Sequence, residues 1–276
     1  MILTAENYFS REASREYFSV SQFKSFLDCE AMALAEISGE YQREETTSLL
    51  VGSYVDAHFS RTLDLFRAQH PALYTQKGTL KSEFQQAEEI IARIERDHLA
   101  SLLLEGDKQT ILTGEIEGVP FKCKPDILLN SVQCSAIAAE FPDMSELMLS
   151  GGAIVDMKIM RDFQPLYRDG EGRLNFIDYW KYDLQLAYYQ RLVAQNNGGE
   201  IFPCYILAAT KEKVPDLGLF RLPQSQLDAA YEIYTERLPR AVAVKNGSEP
   251  PERCDECDYC KQTKVLTCGQ YLGDWA

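Results

Sequence analysis

The sequence predicts an α/β fold with a central mixed β-sheet flanked by helices. Amphipathic helical patterns occupy much of the first hundred or so residues. Short apolar runs typical of strands follow at 110–124, 153–158 and 201–210, and a helical pattern separates the last two. Strands and helices that alternate in this order pack as layers around one sheet, so we expect an α/β domain.

The part of the chain before residue 106 is predicted to be helical after an irregular lead-in over residues 1–18. Ser19 can cap the first helix, and apolar residues recur at helical spacing beyond Cys29, which lies on the same predicted helix. Two further amphipathic helices are predicted over 48–67 and 80–105.

The strand-rich section begins with a predicted β-hairpin over 110–124, whose turn contains Gly118. The second strand is expected to continue to Asn130. The segment 131–150 fits either a strand or an irregular excursion, and a strand over 153–158 follows it.

The C-terminal part is predicted to contain a helix over about 176–195, a strand over 201–210 and a long helix over 224–246. A cysteine-rich tail covers about 250–276. Because no internal repeat or clear linker interrupts the chain, we expect residues 1–276 to form a single domain.

Composition limits the class of protein. The 276 residues are 45% hydrophobic and 25% charged, as in ordinary globular proteins. No segment approaches about eighteen uninterrupted apolar residues, so no membrane-spanning helix is expected. The N-terminus also lacks the basic and apolar stretches of a signal peptide. The expected location is the cytoplasm, where the eight cysteines should not form disulfides.

The charge balance is acidic, with 42 acidic against 28 basic residues and a net charge of −14. This sum argues against non-specific binding to nucleic acid, which depends on basic surface. A local basic groove can nevertheless lie on an acidic protein. Lysines in the segments expected around the candidate site predict such a track: Lys122, Lys124, Lys158, Lys181, Lys211 and Lys213.

The candidate site lies at the ends of two apolar runs. Asp126 follows one run, and Asp156 and Lys158 end another. Residues i and i+2 of a strand project from the same face, so Asp156 and Lys158 should lie together. Carboxylates bind hard divalent cations, and a lysine beside such a cation can orient a water and stabilise developing negative charge. The backbone carbonyl of Met157 is a third candidate ligand.

The pair Pro125-Asp126 followed by Asp156-Met157-Lys158 resembles the signature of the PD-(D/E)XK nuclease superfamily. His58, on a helical segment upstream, is similar to the metal-binding histidine of the RecB-like branch. Gln185 and Tyr189 match the Q-x-x-x-Y motif of that branch. The likeness is greatest to RecE-type exonucleases of phages and prophages, and it covers nearly the whole chain.

The resemblance implies a restriction-endonuclease-like core and dependence on Mg²⁺ or Mn²⁺. The implied metal ligands are His58, Asp126, Asp156 and the carbonyl of Met157. Lys158 would be the catalytic lysine, and Gln185 and Tyr189 would help to hold the DNA or the lysine.

The resemblance also implies an activity and partners. RecE-type enzymes degrade linear duplex DNA from the 5′ end and expose a 3′ strand for recombination, so a single-strand annealing recombinase and a ring-shaped homo-oligomer are implied. An alternative is a CRISPR-adaptation or repair nuclease that acts on single strands. A non-catalytic DNA-binding module with this fold is less attractive, because Asp126, Asp156 and Lys158 are all present.

The cysteines form a separate pattern. Cys254, Cys257 and Cys260 follow one another at intervals typical of metal ligands, and Cys268 comes later. Some RecB-like nucleases hold a [4Fe–4S] cluster through one N-terminal and three C-terminal cysteines, which implies that Cys29 completes the set. Because the spacing departs from those families, Cys268 can replace Cys260. A cluster, Zn²⁺ and free thiols all remain open.

Overall fold

The computed structural model describes residues 1–266. Its N-terminal helices are α1 (Arg11–Glu16), α2 (Val20–Asp28), α3 (Glu30–Ser38), α4 (Thr47–Phe59), α5 (Leu63–Gln69), α6 (Ser82–Glu95) and α7 (His98–Leu103). Its later helices are α8 (Ser131–Glu140), α9 (Phe176–Tyr179), α10 (Tyr182–Asn196), α11 (Gln224–Thr235), α12 (Leu238–Lys245) and α13 (Asp258–Gln262). Short 3₁₀ segments cover Pro71–Leu73 and Pro142–Leu149.

The strands are β1 (Asp107–Lys108), β2 (Leu112–Ile116), β3 (Val119–Cys123), β4 (Ile127–Asn130), β5 (Gly152–Met160), β6 (Leu166–Arg168), β7 (Gly172–Leu174), β8 (Cys204–Thr210) and β9 (Leu217–Leu222). Five of them form a sheet in the order β1-β4-β5-β8-β9. Strand β5 is antiparallel to β4 and parallel to β8, so the sheet is mixed. The predicted fold class is confirmed.

Alternation along β5 divides the core between the two faces of the sheet. Ile154 belongs to the cluster that packs against α2, α10 and α11, whereas Val155 and Met157 belong to the cluster with α4, α6 and α8. Because side chains of a strand alternate between faces, Asp156 shares the face of Ile154. This places Asp156 beneath α10.

Several predicted helices are shorter than the apolar pattern suggested. The helix predicted across Cys29 is two helices, because Cys29 is extended (φ −163°, ψ 111°) and ends α2. The helix predicted over 48–67 breaks after α4, where Arg61 has φ 60°. An apolar repeat continues across such breaks, so periodicity alone does not locate them. The patterns over 80–105 and 224–246 likewise each form two helices.

The middle of the chain also differs from the prediction. Strand β4 does not extend the hairpin, because β2 and β3 form a separate two-stranded sheet. The segment after it is helix α8 rather than a strand, and a reciprocal capping box between Asn130 and Gln133 starts that helix. No helix within residues 1–266 combines the length and apolar character needed to cross a membrane.

Candidate active site and cysteine cluster

The pairing of β4 with β5 positions the two predicted aspartates. Ile127 is opposite Val155 in an antiparallel register, so Asp126, one residue earlier, lies beside Asp156. The backbone N–H of Met157 donates to Asp126 Oδ2 at 2.9 Å. The structure therefore brings together carboxylates that are thirty residues apart in sequence.

Asp156 and Lys158 project from the same face of β5, as the alternation of a strand predicts. Asp156 is 1% exposed, and its Oδ2 atom lies in ion-pair contact with the Lys158 ammonium. The Oδ1 atom accepts a hydrogen bond at 2.9 Å from Nε2 of Gln185 on α10. Both oxygens of this buried carboxylate thus have a partner of complementary polarity.

Helix α10 also connects the site to α2. Gln185 Oε1 accepts a hydrogen bond from Lys24 Nζ at 3.3 Å. The ring centroid of Tyr182 lies 4.9 Å from Lys158 Nζ and 5.2 Å from Lys24 Nζ, within the range of cation–π attraction. Neither Lys24 nor Tyr182 belongs to a sequence motif that indicates a role in the site, so both emerge only from the structure.

Tyr189 lies one helical turn after Gln185 on α10 and is partly buried against the core. Burial raises the pKa of its hydroxyl well above the ordinary value, and the negative charge of Asp156 adds to this effect. The motif Q-x-x-x-Y thus presents both side chains toward the sheet, because residues four apart share one face of a helix.

Asp56, rather than His58, faces the aspartates from α4. The side-chain amide of Gln109 donates from Nε2 to Asp56 Oδ1 at 3.1 Å and to Asp126 Oδ1 at 3.2 Å. The His58 ring instead pairs with Glu95 on α6, with 2.8 Å between Nε2 and Oε1. Residues two apart on a helix are rotated by about 200°, so only one of these two side chains can face the site.

The structure places Asp56, and not His58, beside Asp126, while the assignment of His58 as a metal ligand stays a prediction. The signal was present in the sequence, because an acidic residue stands two positions before the histidine. Gln109 was also missed. It adopts a left-handed conformation (φ 53°) that sequence patterns do not reveal for a glutamine.

Burial and like charge shift the pKa values of the site. Burial raises the pKa of Asp126 to about 7, and the negative charge of Asp156 contributes to this rise. Burial also raises the pKa of Asp56. Burial opposes the charged form of Lys158, but Asp156 and Asp126 outweigh it and raise the pKa of this ammonium. Burial lowers the pKa of Lys24 to about 7, and the positive charge of Lys158 contributes to this decrease.

The second group of functional side chains is the cysteine cluster, formed by Cys29, Cys254, Cys257 and Cys260. Their Sγ atoms all lie within 4.8 Å of one another. The Sγ atoms of Cys29 and Cys260 are 3.5 Å apart, and those of Cys254 and Cys260 are 4.0 Å apart. The structure thus brings Cys29 together with three C-terminal cysteines, while their binding of a cofactor stays a prediction, and Cys268 lies outside the described residues.

Backbone groups of the C-terminal loop support this cluster. The N–H of Cys257 donates to Cys254 Sγ at 3.3 Å, and the N–H of Cys260 donates to Cys257 Sγ at 3.4 Å. Burial opposes ionisation of Cys254, but the backbone N–H groups of Cys257 and Glu256 lower the pKa of its thiol to about 7. Burial, together with the neighbouring thiols, raises the pKa of Cys257 to about 12, so the loop favours the thiolate, which is the form that binds metals, at Cys254.

The family model that matches this chain is the PDDEXK-like domain of unknown function (DUF3799), over residues 19–136 and 143–263. The chain belongs to this family. It is also similar to the crystal structure of a protein from Eubacterium rectale described as a "Putative exonuclease", with a TM-score of 0.88 and 39% identity. That similarity covers 100% of this chain and 98% of the other. No curated protein matches the sequence of this chain.

Membership of the PD-(D/E)XK nuclease superfamily agrees with the donor set of this PDDEXK-like domain. Asp56, Asp126 and Asp156 offer hard oxygen atoms, which Mg²⁺ and Mn²⁺ prefer. Each oxygen that already accepts one hydrogen bond keeps a further lone pair. Three carboxylates exceed the positive charge of Lys158, so the chemistry of these residues fits a divalent cation. Their oxygen atoms are not gathered into one ligand shell in this structure, because Lys158 and Gln109 contact them instead.

Proposed function

We propose that this PDDEXK-like domain is a metal-dependent deoxyribonuclease that degrades linear duplex DNA from its ends. The observation that carries the proposal is the proximity of Asp56, Asp126 and Lys158, which are partly buried, to the buried Asp156. Hydrogen bonds of Gln109, Met157 and Gln185 connect this group. We further propose that residues 1–276 form one nuclease domain.

The proposed metal ligands are the carboxylates of Asp56, Asp126 and Asp156 and the backbone carbonyl of Met157. Bound Mg²⁺ or Mn²⁺ would supply Lewis-acid stabilisation of the phosphate charge and a water that ionises near neutral pH. The carboxylates themselves hold their positions through the Gln109 amide and the Met157 N–H, which limits the reorganisation needed on binding.

Lys158 is the proposed catalytic lysine. Its raised pKa keeps the side chain as an ammonium at neutral pH, so its role is to orient a water and stabilise negative charge on the scissile phosphate rather than to accept a proton. Gln185 is a positioning residue, because it holds Asp156 while Asp156 holds Lys158. Tyr189 lies on the same face of α10 as Gln185 and packs against the core.

The finer features of the activity are proposed from the family resemblance. These are digestion from the 5′ end, exposure of a 3′ strand for recombination, and cooperation with a single-strand annealing recombinase, within a homo-oligomer. An end-labelled duplex tests the first two, because the labelled end that shortens reports the polarity.

The cysteine cluster is proposed to hold a metal centre through four thiolates, either a zinc ion or a [4Fe–4S] cluster. For a zinc–sulfur distance of about 2.3 Å, the edges of a tetrahedron are about 3.8 Å. The sulfur separations of 3.5 and 4.0 Å match a single tetrahedral ion. A four-iron cluster requires wider separations, which the surface loop carrying Cys254 and Cys257 would have to provide.

The test of the nuclease proposal is digestion of end-labelled duplex with and without Mn²⁺, in the parent protein and in Asp156→Ala and Lys158→Ala. We expect metal-dependent shortening by the parent and a loss of at least about a hundredfold in both variants. Exposed residues of the same types provide matched controls, in Asp64→Ala and Lys77→Ala. Digestion by both site variants at the parental rate would refute the proposal.

A further inference from the structure

A groove of about 740 Å³ opens between α2 and the segment that precedes α10. Its lining contains six basic side chains and two acidic ones, Asp28 and Glu36. The basic residues are Arg11, Lys24, Arg43, Lys122, Arg168 and Lys181. Arg43 pairs with Glu36 and Lys181 with Asp28, while Arg168 pairs with Glu171 outside the lining and Lys122 is buried. Arg11 and Lys24 therefore give the groove its unpaired positive charge, which favours an anionic ligand in a chain with a net charge of −14.

Aromatic side chains line the same groove. Phe9 is 76% exposed and Trp180 is 48% exposed, although large apolar side chains are usually buried. The rings of Trp180 and Tyr179 are nearly perpendicular, at 80°, with 4.8 Å between their centroids. The guanidinium of Arg168 lies 4.8 Å from the centroid of the Tyr179 ring. The groove thus contains exposed aromatic rings close to basic side chains.

The groove is connected to the catalytic residues through Lys24. The Lys24 ammonium donates to the backbone carbonyl of Trp180 at 3.0 Å and to Gln185 Oε1 at 3.3 Å. Gln185 in turn holds Asp156. The next residue after Trp180, Lys181, has the left-handed conformation (φ 53°), and its ammonium pairs with Asp28 at 2.5 Å. This conformation lies in the turn whose Trp180 carbonyl accepts the hydrogen bond from Lys24.

We propose that this groove binds a single strand of DNA and that Trp180 stacks on a base adjacent to the scissile phosphate. The inference rests on the proposed nuclease function and names the form of the substrate that enters the site. Single-stranded nucleic acid is bound by grooves that combine cations along the backbone with aromatic side chains under the bases. In an intact duplex the base faces are stacked on one another, so Trp180 and Phe9 would have no such partner.

Hydroxyl groups on the wall made by α2 fit the same ligand. Ser19 and Ser21 line the groove together with Lys24, and their hydroxyls are 2.9 Å apart. Because only one of the two donates to the other, the second hydroxyl keeps its proton for another acceptor. Hydroxyls donate hydrogen bonds to phosphate oxygens without reading sequence. The groove therefore favours binding that depends on backbone and stacking, with little preference for base identity.

The first test measures binding of a short fluorescein-labelled oligothymidylate in EDTA, using Lys158→Ala as the parental background so that no strand is cut. We expect Trp180→Ala to weaken binding by about five- to a hundredfold, the range for loss of one base–aromatic stack, and Trp180→Phe to restore most of it. Tyr167→Ala is the matched control, because Tyr167 is 68% exposed and lies outside the groove lining.

A blunt duplex of the same length provides the comparison that defines the substrate. The proposal is supported if Trp180→Ala loses affinity only for the single strand, or loses much more affinity for the single strand than for the duplex. An equal loss on both substrates overturns the single-strand assignment, and an unchanged affinity in Trp180→Ala overturns the role of this residue. Absence of single-strand binding by the background protein overturns the inference as well.

A second readout remains informative even if Trp180→Ala folds poorly. The chain has two tryptophans, so Trp275→Phe leaves Trp180 as the only indole. We expect its fluorescence to be quenched on addition of oligothymidylate, because stacking places a base on the ring. Unchanged emission at a saturating concentration would contradict stacking. Since none of these measurements requires cleavage, a failed groove test and a failed nuclease assay are distinguishable.

Discussion

The side-chain amide of Gln185 donates to Asp156 Oδ1 at 2.9 Å and so joins helix α10 to the central strand β5. The same amide accepts a hydrogen bond from Lys24, which links α2 to the pair. Three elements from distant parts of the sequence therefore meet at one buried carboxylate. Asp156 is 1% exposed, so the loss of any of these contacts would displace a buried carboxylate of the candidate metal site.

Removal of this amide should reduce activity without unfolding the protein. We expect Gln185→Ala to lower the rate of DNA digestion by about ten- to a hundredfold, since a hydrogen bond to a charged group contributes about 1.5–3 kcal/mol. The measurement is kcat on end-labelled duplex, with a thermal melt to verify folding. Gln76→Ala, at an exposed position, is the matched control. A rate equal to that of the control would show that Asp156 does not need this support.

Asp56 and His58 can be separated by metal titration. We expect Asp56→Ala to weaken binding of Mn²⁺ by at least about tenfold, because it removes a carboxylate that faces Asp126 across the Gln109 amide. His58→Ala should change the affinity by less than about twofold, because its ring pairs with Glu95. Calorimetry on both variants decides the matter, and the reverse order of effects would restore His58 as the ligand.

Metal binding should depend on pH through Asp126. Its pKa is raised to about 7 by burial and by Asp156, and a carboxyl must lose its proton to bind a metal. We expect the apparent affinity for Mn²⁺ to fall by up to about tenfold for each pH unit below 7, and to level off above it. Calorimetry at several pH values measures this. A constant affinity from about pH 5 to pH 8 would contradict it.

The stability of the metal-free protein should show the opposite trend. Folded Asp126 keeps its proton up to about pH 7, whereas the unfolded chain loses it near 4, so between these values the folded state binds more protons. The contribution of this group to the free energy of unfolding therefore falls as the pH rises through that window. Thermal melts in EDTA check the prediction. Asp126→Asn should remove this part of the pH dependence, and an unchanged profile in the variant would count against it.

The cysteine cluster should contain metal and stabilise the contact between the two ends of the described chain. We expect Cys29→Ser and Cys254→Ser to lose most of the bound zinc or iron and to lower the melting temperature, since a thiolate centre contributes binding energy only to the folded state. Metal analysis and absorbance spectra identify the element.

The matched control for the cluster is Cys134→Ala, because Cys134 is buried in the core away from the four sulfurs. This variant should retain the metal content of the parent even if its melting temperature falls. A parent protein that contains neither zinc nor iron after anaerobic purification would contradict the proposed centre.

The sequence by itself determined that Asp156 and Lys158 lie together, because strand alternation is a local property and residues at i and i+2 share a face. Asp126 followed from the resemblance, and the pairing of β4 with β5 brings it beside Asp156. The sequence also determined the set of cysteines, since their spacing is local and the resemblance supplied Cys29. The order of strands and helices predicted the α/β class. It did not predict the helix breaks at Cys29 and Arg61.

Only the tertiary structure decided which face of α4 meets the sheet, and it placed Asp56 near Asp126 while His58 pairs with Glu95. The same applies to Lys24 and Gln109, whose contacts depend on how helices and turns far apart in sequence are packed. The groove beside Trp180 is a further example, because a net charge of −14 is a sum over the whole surface. Local charge and exposure depend on which side chains the fold places together, and no local pattern in the sequence contains that information.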